Sequence, residues 1–180
     1  MKKFDCVFLD RDGTLNPDPG YINNISDYKF YDFTLPALKM MAKNYHRFCI
    51  VTNQSGVARG LIPINSLNII NKFIRNKFSE NKISLLDIYM CFDHPDNAST
   101  NRKPGAGMFL KAKRKYNLKL SKCLMVGDSI SDMEAGKNLG METMLVLTGE
   151  GQKTLRNFRH KKSISYFADN IFEGFKQLCQ

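Results

Sequence analysis

Short apolar runs alternate along the chain with longer stretches in which apolar residues recur at helical spacing. The runs begin with Cys6 to Leu9 and recur at residues 47–51, 85–92, 123–126 and 143–147. Continuous apolar runs of this length are typical of strands that are buried on both faces of a parallel sheet. The pattern therefore predicts five buried parallel strands.

Between these runs, apolar residues recur at the spacing of an amphipathic helix. Thr34 is expected to cap a helix that ends near residue 44, and a second helix spans residues 63–81. Further helices follow Gly105 and end near Leu139, and residues 164–167 and 171–178 predict an edge strand and a last helix. The alternation predicts an α/β fold with a doubly wound parallel sheet. We expect one domain over residues 1–180 and no separate cap domain, because neither interval between the early strands has room for one.

Composition agrees with a globular enzyme-sized domain. The chain has 180 residues, of which 43% are hydrophobic and 24% are charged, so extensive disorder is not expected. No apolar run approaches the roughly 20 residues of a membrane helix, and Asp5 interrupts the only run near the N-terminus. We therefore expect a cytoplasmic protein without a membrane partner. The five cysteines are far apart and odd in number, which indicates buried reduced thiols in the strands.

The net charge of +10 is spread over scattered lysines, with one exception. Residues 153–162, KTLRNFRHKK, form a dense basic run. It could be a solvated surface, recruit phosphate or bind a polyanion.

Two carboxylates, Asp10 and Asp12, directly follow the first apolar run and precede Gly13. If the strand continues, alternation points both side chains the same way, and the glycine permits a sharp turn. Open α/β sheets bind ligands at the carboxyl ends of their strands. A close pair of carboxylates suits Mg²⁺, and one of them could be a nucleophile and the other a general acid and base. The alternative is a polar turn with two solvated carboxylates.

The second run ends in small polar residues, Thr52-Asn53-Gln54-Ser55-Gly56. A hydroxyl and exposed backbone N–H groups can cradle phosphate oxygens without adding charge. Taken alone, these residues could also form a helix-capping turn, and that alternative stays open at this point.

Two later segments complete the candidate chemistry. Lys103 follows Arg102 and precedes a proline at the start of a predicted helix. A lysine in this position is well placed to contact phosphate, although it could also be a solvated side chain. The fourth run ends at Asp128, which would complete a metal site with Asp10. Asp132 could orient Lys103, hold a metal-bound water or only cap the following helix.

Four segments resemble the motifs of the haloacid dehalogenase superfamily, in its phosphatase branch. They are FLDRDGTLN, VTNQSGVARG, RKPGAGMF and VGDSISDM. The second Asp of the first motif marks the phosphatases, because the dehalogenases lack it. The resemblance implies a Mg²⁺-dependent phosphomonoester hydrolase with an aspartyl-phosphate intermediate.

The same resemblance implies a role for each of five residues. Asp10 would attack phosphorus, and Asp12 would protonate the leaving group and then activate water. Thr52 and Lys103 would neutralise the transferring phosphoryl group. The Mg²⁺ ligands would be the Asp10 carboxylate, the Asp12 backbone carbonyl and the Asp128 carboxylate.

Within the superfamily, residues 4–147 resemble the D-glycero-D-manno-heptose 1,7-bisphosphate 7-phosphatases and the related histidinol phosphatases, and DPGY at residues 18–21 is a further shared segment. The resemblance implies a phosphorylated sugar from the synthesis of lipopolysaccharide or another surface polysaccharide. Arg102 would bind its second phosphate or another distal group. The implied substrate-binding residues are Asp18, Pro19, Gly20, Tyr21, Thr52, Asn53, Gln54, Ser55, Arg102, Lys103 and Ser129.

Two departures from the family pattern fall near the substrate. Members commonly carry a zinc site of the form Cys-x-His followed by Cys-x-Cys, whereas here Cys91 is followed by Asp93 in the histidine position and no cysteine precedes Arg102. We expect no zinc site and expect His94 to be a loop residue. The second departure is Ser129, where these enzymes often have Lys.

Three other functions stay open on the sequence. They are a histidinol-phosphate phosphatase, a nucleic acid 3′-phosphatase and a noncatalytic phosphate-binding module. The 3′-phosphatase would exploit the basic charge and bind DNA in a steeply salt-dependent way, but we do not expect a nucleic-acid partner. The sequence leaves the oligomeric state open.

Overall fold

A six-stranded parallel sheet forms the centre of the computed structural model, which describes residues 2–44 and 46–179. The strands are β1 (Cys6–Leu9), β2 (Arg47–Asn53), β3 (Ser84–Cys91), β4 (Cys123–Gly127), β5 (Glu142–Val146) and β6 (Tyr166–Ala168). The helices are α1 (Thr34–Ala42), α2 (Ile64–Glu80), α3 (Gly107–Tyr116), α4 (Ile130–Asn138), α5 (Gly151–Asn157) and α6 (Ile171–Cys179). The predicted doubly wound α/β fold is confirmed.

The strand order, β3-β2-β1-β4-β5-β6, reverses direction at β1. Val7 of β1 lies opposite Phe48 of β2 on one side and Leu124 of β4 on the other. The carboxyl ends of β1 and β4 therefore form the switch point at which open α/β sheets bind ligands. Asp10 and Asp128 come directly after these two strands.

Period-two alternation along β1 divides the core between the two faces of the sheet. Val7 and Leu9 pack in a cluster with residues of α1, α2 and α6. Cys6 and Phe8 pack on the opposite face with residues of α3 and α4. All four side chains are fully buried, and this two-sided burial accounts for the continuous apolar run. The thiols of Cys6, Cys49 and Cys123 are likewise buried and unpaired, as predicted.

Two local predictions from the sequence are wrong. β1 ends at Leu9, so Asp12 lies in the following turn and is not placed by strand alternation. Thr34 is the first residue of α1 and does not cap it; its hydroxyl instead donates to the Leu15 carbonyl at 2.7 Å. The sequence pattern predicted no element in the basic run, whose first part belongs to α5.

The connections on either side of β2 contain few helices. The described residues between β1 and β2 contain one α-helix, and so do those between β2 and β3. Within residues 2–44 and 46–179, every helix is too short or too polar to cross a bilayer.

Candidate active site

A cavity of about 470 Å³ opens at the carboxyl ends of the central strands. Its lining includes Asp10, Asp12, Asp18, Gly20, Tyr21, Thr52, Asn53, Gln54, Ser55, Arg102, Lys103, Asp128 and Ser129, all of which were predicted site residues. Pro19 is exposed and does not line the cavity. The lining also includes Gly56, Ile62, Ser131 and Glu150, which were not predicted.

Lys103 is a buried cation at the centre of the site. Its Nζ lies 2.6 Å from Asp10 Oδ1 and 2.7 Å from Asp132 Oδ1, and it donates to the Val51 carbonyl at 2.8 Å. Burial opposes the charge on Lys103, but the two carboxylates outweigh burial and hold its pKa above its usual value. The contact with Asp10 uses Oδ1 of that carboxylate.

Asp132 holds this lysine while it caps a helix. Its Oδ2 accepts hydrogen bonds from the Ser129 backbone at 3.1 Å and the Ser129 hydroxyl at 2.7 Å, forming a capping box at the start of α4. Its Oδ1 faces Lys103. Of the alternatives that the sequence left open, capping and orientation of Lys103 are both present.

Asp12 is held by donors from three side chains. Arg11 contacts both of its oxygens, at 2.9 and 2.7 Å, while Asn16 and Gln54 donate at 2.9 and 2.7 Å. Burial opposes ionisation, but Arg11 and the other donors outweigh it and lower the pKa of Asp12 below its usual range. Gln54 also donates to the Thr52 hydroxyl at 2.9 Å. Asp12 is therefore an ionised carboxylate with a fixed orientation.

The amide of Asn53 fixes the second segment against the third. Its Nδ2 donates to the Lys103 carbonyl at 3.1 Å, and its Oδ1 accepts from the Lys103 N–H at 3.0 Å. This two-way pairing sets the position of the Lys103 backbone above the end of β2. A substrate contact by Asn53 stays a prediction.

Three carboxylates gather at the switch point. Among the described residues, Asp10, Asp128 and Asp132 form the group that could hold a metal ion, with one oxygen from each within 4.8 Å of the others. Burial raises the pKa of Asp10, with Lys103 opposing the rise, and burial together with the charge of Asp10 raises the pKa of Asp128. The excess negative charge and all-oxygen donor set fit a hard divalent cation such as Mg²⁺.

Backbone and hydroxyl donors orient Asp128. Thr14 donates to its Oδ1 at 3.0 Å, and the Glu150 N–H donates to its Oδ2 at 2.8 Å. Gly13 and Gly149, both with positive φ, pack against this carboxylate, and a Cβ on Gly149 would lie only 2.6 Å from the Gly13 Cα. Glycine is thus required on both sides of Asp128 for steric as well as conformational reasons.

Arg102 lies at the rim of the cavity, where the loop of residues 93–101 supports it. Its Nη1 donates to the Asp93 carbonyl at 3.2 Å, and the Asp93 carboxylate accepts from the backbone N–H and hydroxyl of Ser99. His94 caps a short turn by accepting from the Asp96 N–H, so it is a loop residue, as predicted. The expectation that zinc is absent stays a prediction.

Arg11 and Thr14 are the main functional residues that the sequence reasoning missed. Arg11 is only 1% exposed, although a charged residue between two aspartates would be expected to face solvent. Thr14 belongs to the quoted first motif, and its hydroxyl next to the turn was the available signal. Their partners, Asp12 and Asp128, come together only in the folded chain.

Comparison with known proteins places this geometry in a family. Residues 100–173 match the HAD-hydrolase-like family model. The chain is 35% identical over 168 residues to the D-glycero-alpha-D-manno-heptose-1,7-bisphosphate 7-phosphatase of Campylobacter jejuni, covering 92% of this chain and 96% of that protein. The chain belongs to the heptose bisphosphate phosphatase family of HAD-like hydrolases.

Other relatives carry the same fold and the same enzyme class. The D-glycero-beta-D-manno-heptose-1,7-bisphosphate 7-phosphatase of Haemophilus influenzae is 34% identical over 159 residues, which are 82% of this chain and 86% of that protein. The crystal structure of D,D-heptose 1,7-bisphosphate phosphatase from B. bronchiseptica, complexed with magnesium and phosphate, superposes with a TM-score of 0.90. It is 30% identical, and the match covers 100% of this chain and 99% of that chain. This family member is therefore a phosphatase.

Proposed function

We propose that this phosphatase removes the 7-phosphate of D-glycero-D-manno-heptose 1,7-bisphosphate, with Mg²⁺ as its cofactor. The observation that carries the proposal is that one cavity contains two cations. Lys103 Nζ lies 2.6 Å from Asp10 Oδ1, and the partly exposed Arg102 lines the same cavity. One cation adjoins the nucleophile and a second is placed for a distal anionic group. A substrate with two phosphates matches this arrangement, and relatives that act on this substrate span nearly the whole chain.

The chemistry begins at Asp10. Its Oδ2 attacks phosphorus, the bond to the sugar oxygen breaks, and an aspartyl phosphate forms. Lys103 and the Thr52 hydroxyl face the charge that develops on the phosphoryl oxygens, in a site where their positions are fixed before the substrate arrives. Asp132 acts only through Lys103.

Asp12 handles the protons of both half-reactions. Because the resting side chain is ionised, Asp12 first takes up a proton from solvent and then donates it to the departing sugar alkoxide. As a carboxylate again, it takes a proton from the water that cleaves the aspartyl phosphate. Its three supporting side chains favour the carboxylate, so the acid form is a strong donor. The same contacts hold the Asp12 carboxylate in a fixed orientation for proton abstraction in the second step.

The metal site is assigned to Asp10, Asp128 and the Asp12 backbone carbonyl. Mg²⁺ bound there supplies positive charge to the phosphoryl oxygens and to the nucleophile. The chain's own contribution is to orient Asp128 through Thr14 and the Glu150 N–H. Without the cation, mutual repulsion and burial disfavour the ionised forms of Asp10 and Asp128.

Phosphate release from both anomers of heptose 1,7-bisphosphate, with and without Mg²⁺, tests the proposal. Histidinol phosphate and a 3′-phosphorylated oligonucleotide serve as competing substrates, and Asp10→Asn is the inactive control. We expect Mg²⁺-dependent release of one phosphate from the bisphosphate at the highest kcat/KM. A higher kcat/KM for either competing substrate would contradict the proposal. The anomer is left to the measurement, because relatives of nearly equal identity carry alpha and beta names.

The role of Arg102 can be separated from the chemistry. Arg102→Met should raise KM for the bisphosphate by about tenfold or more, since a guanidinium contact to phosphate is charge-assisted, and should leave kcat nearly unchanged. Heptose 7-phosphate, which lacks the second phosphate, is the matched substrate and should show little change. An equal rise for both substrates would assign Arg102 to the transferred phosphate or to the fold.

A further inference from the structure

A second, larger concavity lies outside the active site, at the end of α5. Its volume is about 800 Å³, and it is lined by Lys137, Arg156, Asn157, Phe158, Arg159, His160, Lys161, Lys162 and Ser163. Five of these nine residues carry a permanent positive charge, and none is acidic. We call this surface the basic groove. The proposed function makes no use of it.

The cations of the basic groove have no carboxylate partners within residues 2–44 and 46–179. Among these described residues, no ion pair and no side-chain hydrogen bond involves Lys137, Arg156, Arg159, Lys161 or Lys162. Lys153, one turn earlier in α5, does pair with Glu150. Glu134 lines a smaller neighbouring cavity with Phe158 and Arg159. The groove thus concentrates positive charge that no ion pair of the described residues neutralises.

We propose that the basic groove binds a small ligand with several linked phosphate groups, such as a nucleoside triphosphate or inorganic tripolyphosphate. The guanidinium groups of Arg156 and Arg159 can each contact two phosphate oxygens, and the lysines add point charges. Five cations match the charge of a linked phosphate chain better than that of a single orthophosphate. The volume falls within the range of about 300–1,000 Å³ that is usual for small-molecule sites.

The shape and lining of the groove argue against larger polyanions. Single-stranded nucleic acids are held by exposed aromatic rings on which bases stack, but Phe158 is only 2% exposed and packs edge-on against His160. Membrane-surface segments present apolar side chains to the lipid, whereas Phe158 and Ile164 are buried in the protein. A basic site whose neighbouring large apolar side chains, Phe158 and Ile164, are buried favours a compact anion.

The groove is separate from the active site, but two helices connect them. α4 has Ser129 as its N-cap and Asp132 in its first turn, beside Lys103, and carries Lys137 in its last turn. α5 begins next to Glu150, which contacts Asp128, and ends at Asn157 in the groove. The groove and the catalytic cavity share no lining residue, so both sites can be occupied together.

Calorimetric titration with tripolyphosphate in the presence of EDTA tests the proposal. Removal of metal withdraws the cation through which the active site would hold a phosphate group, so binding there is suppressed. The test variant is Arg159→Ala/Lys161→Ala, and the control is Lys111→Ala/Arg114→Ala, which removes two exposed cations from α3. Phosphatase activity of both variants checks their folding, because none of these residues belongs to the catalytic site.

We expect the wild type to bind one tripolyphosphate per chain. Binding should be at least about tenfold weaker in the groove variant, because it loses two charge-assisted contacts. The affinity of the control variant should change by less than about twofold. ATP should compete if the phosphate chain is what is recognised, and orthophosphate should compete poorly. Failure of the wild type to bind, or equal weakening in both variants, would overturn the proposal. Groove-dependent binding of duplex DNA or anionic vesicles that tripolyphosphate cannot displace would also overturn it.

Discussion

The ammonium of Lys103 lies 2.7 Å from Oδ1 of Asp132, and both side chains are almost completely buried. Asp132 is the same residue that caps α4 through Ser129. The start of the helix and the position of Lys103 are therefore set by one carboxylate. A fixed cation beside Asp10 is what phosphoryl transfer needs, because catalysis depends on charges that are positioned before the reaction.

Asp132→Asn should impair both the fold and the chemistry. Removing one partner from a buried ion pair costs about 3–5 kcal/mol, and the lower end is expected because Lys103 keeps Asp10. Turnover should fall by about 10²-fold as the lysine loses its second anchor. Urea denaturation and kcat measure the two effects. Glu134→Gln, at a partly exposed position of the same helix, is the control. Equal stability and equal kcat of the two variants would exclude a role of Asp132 in positioning Lys103.

Asp12→Asn should keep the metal and lose turnover. The proposed metal contact at this position is the backbone carbonyl, which the substitution preserves, whereas general acid and base catalysis is worth about 10²–10⁴-fold. Calorimetry gives the Mg²⁺ affinity and phosphate release gives kcat. Asp32→Asn, on the exposed surface, controls for loss of a carboxylate. Survival of turnover would show that another group moves the protons.

Gly149→Ala should disturb the metal site, while Gly140→Ala should not. Both glycines have positive φ, so both substitutions cost about 1–2 kcal/mol of backbone strain. Only at Gly149 would a Cβ meet Asp128, whereas at Gly140 it meets nothing within 4 Å. The expected result is a larger destabilisation for Gly149→Ala than for Gly140→Ala in thermal unfolding, because only the former adds a steric clash to the backbone strain, together with weaker Mg²⁺ binding and lower kcat for Gly149→Ala alone. Matching Mg²⁺ affinities in the two variants would refute a steric role for Gly149.

Asp87 should make stability depend on acid pH. Burial opposes its ionisation, but hydrogen bonds from Lys115 and Arg75 outweigh burial and lower its pKa to about 2. Because the folded-state pKa is depressed, this stabilisation is present above the unfolded pKa of about 4 and is lost as pH falls toward 2.

Denaturant unfolding between pH 6 and pH 2 checks this expectation. Asp87→Asn should be less stable than the wild type at neutral pH, and the difference should shrink as the pH approaches 2. Asp32→Asn, which has no ion pair among the described residues, should follow the wild type at every pH. A constant difference between Asp87→Asn and the wild type would mean that the stabilisation does not come from the carboxylate charge.

The sequence determined the fold class and which residues are candidates for the chemistry. Apolar runs mark the strands because a parallel sheet buries both faces, and Cys6 to Leu9 shows this without ambiguity. The carboxylates Asp10 and Asp128 stand at strand ends in the chain itself, so their meeting at the switch point follows from the topology. The order of the motifs along the chain was thus enough to predict that these carboxylates lie together.

Only the tertiary structure decided which groups support them. The burial of Arg11 against Asp12 opposes the local expectation that a charged residue faces solvent. The pairing of Asn53 with the Lys103 backbone and the contact of Asp132 with Lys103 join segments that are distant in the chain. α5 escaped prediction because its exposed basic residues give no apolar periodicity. Hydrogen bonds and ion pairs depend on distances of a few ångströms between separate segments, and such distances exist only once the sheet has brought those segments together.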